Sequence, residues 1–201
     1  MKMKRKLVAL MALLASLSLA QTASPKVTVN IPSVLQLTLD ATDYKFDFNA
    51  SSASGTVTIG SNSYTKASQA AYLTFLNTTS GTQDFAPTSI ENAANPDYGT
   101  VTVLTNRAQW TVKIDSIDDG PLTLGNGRVK VFAEKVSGKG TSSTTTPTSI
   151  TAPLTLFNAS SNGQGRSVYK LYYLFTMDIN DDIPLSGINE YITVNLLLTS
   201  P

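Results

Sequence analysis

Apolar residues occupy every second position in one segment after another of this chain. Val27, Val29 and Ile31 alternate with Thr28 and Asn30; Tyr44, Phe46 and Phe48 with Lys45 and Asp47; Val57 and Ile59 with Thr56 and Thr58. The period returns at Trp110, Val112 and Ile114, at Val129, Val131 and Ala133, at Tyr169, Leu171, Tyr173, Phe175 and Met177, and at Ile192, Val194, Leu196 and Leu198. Successive side chains of a strand point to opposite faces, so this spacing marks strands that bury one face. Residues 26–31 and 34–39 are thus predicted as two strands interrupted by Pro32. Residues 66–76 are predicted as a strand with a helical turn at 68–71. Short strands, polar turns and little helical signal together predict an all-β fold, a single antiparallel β-sandwich of the Ig-like or Greek-key type over residues 21–201.

The N-terminus predicts export. Lys2, Lys4, Arg5 and Lys6 precede an uncharged, mostly apolar run over residues 7–19, and Ser18-Leu19-Ala20 supplies small residues for signal-peptide cleavage. Residues 1–20 are therefore expected to be a signal peptide, and the location secreted, extracellular or in the cell envelope. A 13-residue run is too short for a membrane span, which needs about 20 residues. No Cys follows the cleavage site and no apolar tail closes the chain, so neither a lipid anchor nor a membrane span is expected. Taking the four leader cations from the 15 basic residues leaves 11 against 14 acidic, a formal net charge of −3. Nucleic acid is not an expected partner, because its binding rests on clustered Lys and Arg.

The chain contains neither His nor Cys. Ser-His-Asp and Cys-His constellations are therefore excluded, and zinc loses its usual ligands. The remaining acidic candidates, Asp115, Asp118, Asp119, Asp178, Asp181 and Asp182, fall in segments predicted as wet turns, where carboxylates keep ordinary pKa values and make poor general acids. No enzymatic activity is expected. Calcium is the one cofactor the spacing suggests. Asp178, Asn180 and Asp182 stand at positions one, three and five of an EF-hand-like loop, but Ile183 replaces the needed Gly and Asn189 the closing Glu, which leaves only a looser oxygen cage.

Residues 115–122 and 178–185 share a spelling, with Asp, Asp-Asp, Pro and Leu at equal spacing. Each is predicted to be the acidic turn of a hairpin, since Asp and Pro both favour tight reversals. Residues 137–152 form a Ser/Thr/Gly tract predicted to be a mobile hairpin tip, too polar to offset the cost of ordering its backbone. Residues 158–166 are read in the same way. Trp110, in phase with Val112 and Ile114, is predicted in the core, and of the tyrosines at 169, 172 and 173 only Tyr172 is predicted to face outward.

Residues 107–114, with Trp110 and Val112 at the W-x-L/V positions, lead through an acidic turn to Leu122 and a strand over 128–133. This stretch resembles the W-x-L/V strand and following hairpin of WxL-type bacterial surface domains. Residues 187–194 are similar to the G-x-Y lead-in to the last strand of those domains and of fimbrial-type β-sandwich subunits. The resemblance implies a cell-envelope β-sandwich acting by noncovalent attachment or assembly. The expected function is a secreted, non-enzymatic structural or adhesion protein, a fimbrial-type or surface-layer-associated subunit that assembles by strand pairing through Val27, Val29 and Ile31. Its expected partner is itself or another envelope protein, or cell-wall polysaccharide; the alternative function is a carbohydrate-binding module.

Overall fold

The computed structural model describes residues 26–51, 55–118 and 120–201. The leader and the cleavage site lie outside the described residues. The chain divides into two units, Met1–Pro32 and Ser33–Pro201. In the first, residues 26–32 form no strand, and Val27, Val29 and Ile31 are 82%, 72% and 76% exposed. The strand expected there is not formed: alternation makes a strand only where a neighbouring edge takes up the backbone N–H and C=O groups, and these residues enter no ladder.

The second unit runs β1 (Leu35–Leu39), β2 (Asp43–Lys45), β3 (Thr56–Ile59), β4 (Asn62–Thr65), α1 (Gln69–Leu76), β5 (Thr82–Phe85), β6 (Ser89–Glu91) and β7 (Gly99–Thr105). It continues with β8 (Trp110–Asp118), β9 (Val129–Ser137), β10 (Thr141–Ser142), β11 (Thr148–Ser149), β12 (Leu154–Ala159), β13 (Gly165–Asp178) and β14 (Thr193–Thr199). One sheet has the order β1-β7-β13-β9-β11, with β5 also on β13; the other has the order β10-β12-β8-β14. All the strand pairs are antiparallel, and the described residues form no closed barrel, so the fold is the expected all-β sandwich.

The alternation read from the sequence becomes the core. Val101 and Val103 of β7, Val131 and Ala133 of β9 and Tyr169 and Leu171 of β13 face Trp110, Val112 and Ile114 of β8 across the two layers, all of them buried. In β12 a register shift between Thr155 and Phe157 lets the consecutive residues Leu156 and Phe157 both enter this core. A bulge adds a residue to one strand and so resets which side chains point inward.

From β7 to β14 each strand lies in the opposite sheet from the one before it. The connections from β8 to β9 and from β13 to β14, which contain most of the two acidic segments, are therefore crossovers between the layers, not the hairpins expected, and the two connections contact each other. Arg128, at the end of the first, donates to Asp181 Oδ1 of the second at 2.6 Å, and the Thr123 amide donates to Glu190 Oε2 at 2.6 Å. Asp115 and Asp118 are strand residues of β8 rather than turn residues.

Three further expectations are corrected. Residues 69–76 are helical, because Ser68 in an extended conformation accepts the Ala71 amide at its side chain and caps α1. Phe75 then seats on Phe85. Tyr72, Thr74 and Phe75 read locally as strand formers, and packing overrides that preference. Tyr172 does point away from the main core but is buried rather than exposed, since the β3–β4 hairpin lays Val57 and Ile59 against Tyr172 and Leu174 on the outer face of β13. Tyr44 lies in β2, but Phe46 and Phe48 lie beyond it and fill the space near Phe175 and Phe85.

The tract at 137–152 is not a solvent-exposed hairpin tip. It supplies β10 to one sheet and β11 to the other, and it buries Thr144 and Ile150. The Thr144 hydroxyl accepts the Ala133 amide at 2.8 Å and donates to the Ala133 carbonyl at 3.2 Å. Its hydroxyls thus do what a partner strand would do for β9, which is why a polar tract can be ordered here.

Candidate functional site

The sandwich has two margins, and they are finished differently. At one, the terminal strands β10 and β11 have two residues each, and the Ser/Thr tract that joins them occupies the hydrogen-bonding groups of Ala133. At the other, β1 and β14 lie near one another, and each pairs on one side only, β1 with β7 and β14 with β8. Among the described residues no strand covers their outer edges. Unpaired edges are usually blunted by Lys, Pro, bulges or shortness. Here β1 reads LQLTL and β14 reads TVNLLLT, with no charge and no proline in either.

Apolar side chains are incompletely covered along this open margin. Leu37, Leu39, Val194, Leu196 and Leu198 pack on the core but are only partly buried, whereas Val112 and Ile114 of the adjacent β8 are fully buried. Leu35 is 42% and Leu197 38% exposed. In the first unit Val27, Val29 and Ile31 are exposed as well.

The calcium candidates are brought together only in part. Asp178 Oδ1 accepts the Asn180 backbone amide at 2.9 Å and its side-chain amide at 3.0 Å, which forms a local turn. Asp181, not Asp182, turns inward: its Oδ2 accepts the Asp178 amide at 2.7 Å while Oδ1 pairs with Arg128. Asp182 is exposed. Among the described residues no three acidic side chains converge as a metal cage would require. Chelation of divalent cations is expected to leave the melting temperature within about 1 °C of its starting value, since an ion stabilises a fold only by binding it. A calorimetric drop of many degrees, abolished in an Asp178→Ala, Asp182→Ala variant, would establish a cage there after all.

The other acidic candidates serve the framework. Asp115 pairs with Lys113 at 2.7 Å, and Asp118 accepts the Asn195 side-chain amide across to β14. Asp119 lies outside the described residues. A shallow cleft beside α1 is bordered by Lys66, Ser68, Thr74 and Gln83, and Lys66 is paired with Asp97 at 2.7 Å.

Trp110 and the tyrosines at 169, 172 and 173 are in the interior. Trp110 is 1% exposed, its indole N–H donates to the Gly163 carbonyl at 2.9 Å, and its ring meets Tyr169 edge-on at 6.4 Å. Phe157 stacks on Tyr169 at 4.1 Å. Gly163 and Gly140 wall the indole so closely that a Cβ at either would lie 2.5 Å from Trp110 Nε1 or 2.9 Å from its Cη2. Burial drives the phenolic pKa values of Tyr44, Tyr172 and Tyr173 far above the usual range, with the neighbouring Tyr173 adding to the effect at Tyr44 and Glu134 at Tyr172. Tyr169 is pushed up to about 12 by burial.

No family model, curated protein or solved structure matches this chain. Sequence reasoning singled out the segment at 27–31 and did not point to the open margin. The signal available for the margin was the absence of Lys, Glu, Asp and Pro from residues 193–199, which is unusual for a strand left at an edge.

Proposed function

We propose that this protein is a non-enzymatic structural subunit of the cell envelope or extracellular space, and that it assembles by strand pairing. The observation that carries this reading is the exposure of Val27, Val29 and Ile31, three apolar side chains at every second position of a segment without a ladder of its own. Leaving such side chains in water is unfavourable, by about 25 cal/mol for each Å² of apolar surface. Adding an extended segment to an open sheet edge removes that surface and satisfies two rows of backbone groups at once. The uncharged open margin supports the same reading.

Sedimentation velocity and negative-stain imaging of the exported protein test it. Species that grow with concentration are expected, and Val29→Asp should abolish them, because a charge facing the core of a new pairing is costly to bury. Val29 is exposed in the single chain, so the variant should keep its own stability within about 0.5 kcal/mol. A protein that stays monomeric at every concentration, with Trp110 fluorescence that responds to polysaccharide, would favour the carbohydrate-binding alternative instead.

A further inference from the structure

Building on the assembly reading, we propose that the acceptor is the outer edge of β14, and that it receives residues 26–31 of a second copy. Besides the four-residue β5, which pairs only with β13, four strands end the two sheets. Of these, β10 and β11 are two residues long and joined by the Thr144 crossover, so they offer little to pair with. β1 has five residues and is pinned at both ends: the Val34 amide donates to Asn106 Oδ1 at 2.9 Å, and Asp40 accepts the amides of Thr100 and Ala94.

β14 is the longest of the four, with seven residues. Its ladder with β8 shifts register between Asn195 and Leu196, but the extra residue is Asp115 on β8, so β14 itself runs on without a bulge. Its inward row, Val194, Leu196 and Leu198, stays partly exposed beside the fully buried Val112 and Ile114. Among the described residues no strand covers that row on its outer side.

Residues 27–31 have the form of that cover. Val27, Val29 and Ile31 repeat the two-residue spacing of Val194, Leu196 and Leu198, and neither segment carries a charge that pairing would bury alone. Among the described residues all the pairs of named strands are antiparallel. In that sense Val27 lies beside Leu198, Val29 beside Leu196 and Ile31 beside Val194, with Thr28 beside Leu197 on the outer face. Donor and acceptor are different segments of one chain, so the contact is head-to-tail and, where its rotation does not close, builds a filament.

The chain has no cysteine, so introduced thiols report pairing without background. Full-length chains carrying Thr28→Cys and Leu197→Cys are mixed under a mild oxidant, and the double variant is oxidised alone; both positions are exposed, and near-UV circular dichroism confirms the fold. A covalent heterodimer in the mixture and a ladder of linked oligomers from the double variant are expected. A monomer closed by an internal disulfide would overturn the proposal by showing that the segment pairs within its own chain. Filaments without this cross-link, or with a cross-link from Thr28→Cys to Gln36→Cys on β1 instead, would overturn the β14 acceptor while leaving assembly intact. Absence of both filaments and cross-links would overturn the acceptor and the assembly reading together.

Discussion

Trp110→Ala is expected to lower the unfolding free energy by about 3–5 kcal/mol, the range for removing a large aromatic side chain from a packed core. The cost should fall toward the upper end. The indole fills space between the layers that Gly140, Gly163, Tyr169 and Ala159 are shaped around, and its loss leaves the Gly163 carbonyl without its buried donor. Trp110→Phe keeps much of the volume but not the N–H, and a smaller loss of about 1–3 kcal/mol follows. Since the variant removes the only tryptophan, urea titrations should be read by far-UV circular dichroism. A loss below about 1 kcal/mol for the alanine variant would mean that the two layers are not held together at this residue.

The second large effect is alkaline unfolding. Tyr44 and Tyr173 lie edge-on at 4.7 Å inside the sandwich, and Tyr44 donates to the Leu171 carbonyl at 3.1 Å. Burial disfavours the phenolate, so the folded-state pKa values of Tyr44, Tyr169, Tyr172 and Tyr173 all lie above the ordinary value of 10.0. A group raised in this way contributes stability that is fully present below its unfolded pKa. As pH rises through 10.0, the unfolded chain loses phenolic protons that the folded chain keeps, and stability falls by about 1.4 kcal/mol per pH unit for each buried tyrosine. Tyrosine ionisation, followed by ultraviolet absorbance, should therefore coincide with loss of the far-UV signal. Smooth titration of all eight tyrosines near pH 10.0, with the sheets intact, would contradict this picture of the core.

The sandwich was legible because a strand with one buried face writes its period into the sequence. β8, β9 and β13 alternate as read, and Trp110 is buried as its phase with Val112 and Ile114 required. What local pattern does not encode is the partner. The segments at 115–122 and 178–185 look like hairpin turns because Asp and Pro reverse a chain equally well within a sheet and between two. The tract at 137–152 looked too polar to be ordered, yet Thr144 and Ser142 bond the Ala133 backbone and close an edge. Tyr172 appeared exposed because a second layer over β13 depends on where the β3–β4 hairpin docks. The candidate site divides along the same line. Val27, Val29 and Ile31 stood out by their spacing, while the openness of β14 follows from sheet order, which no single segment reveals.

Assembly through residues 26–31 is the central claim, and add-back of that segment tests it most directly. A chain lacking these residues should sediment as a folded monomer with an unchanged near-UV spectrum, because none of its ladders uses them. A synthetic peptide of residues 26–31 should then bind it saturably, and the same peptide should cap the growth of polymers of the intact chain. Contradiction would come from a deleted chain that still polymerises, or from one that unfolds and is not restored by the peptide.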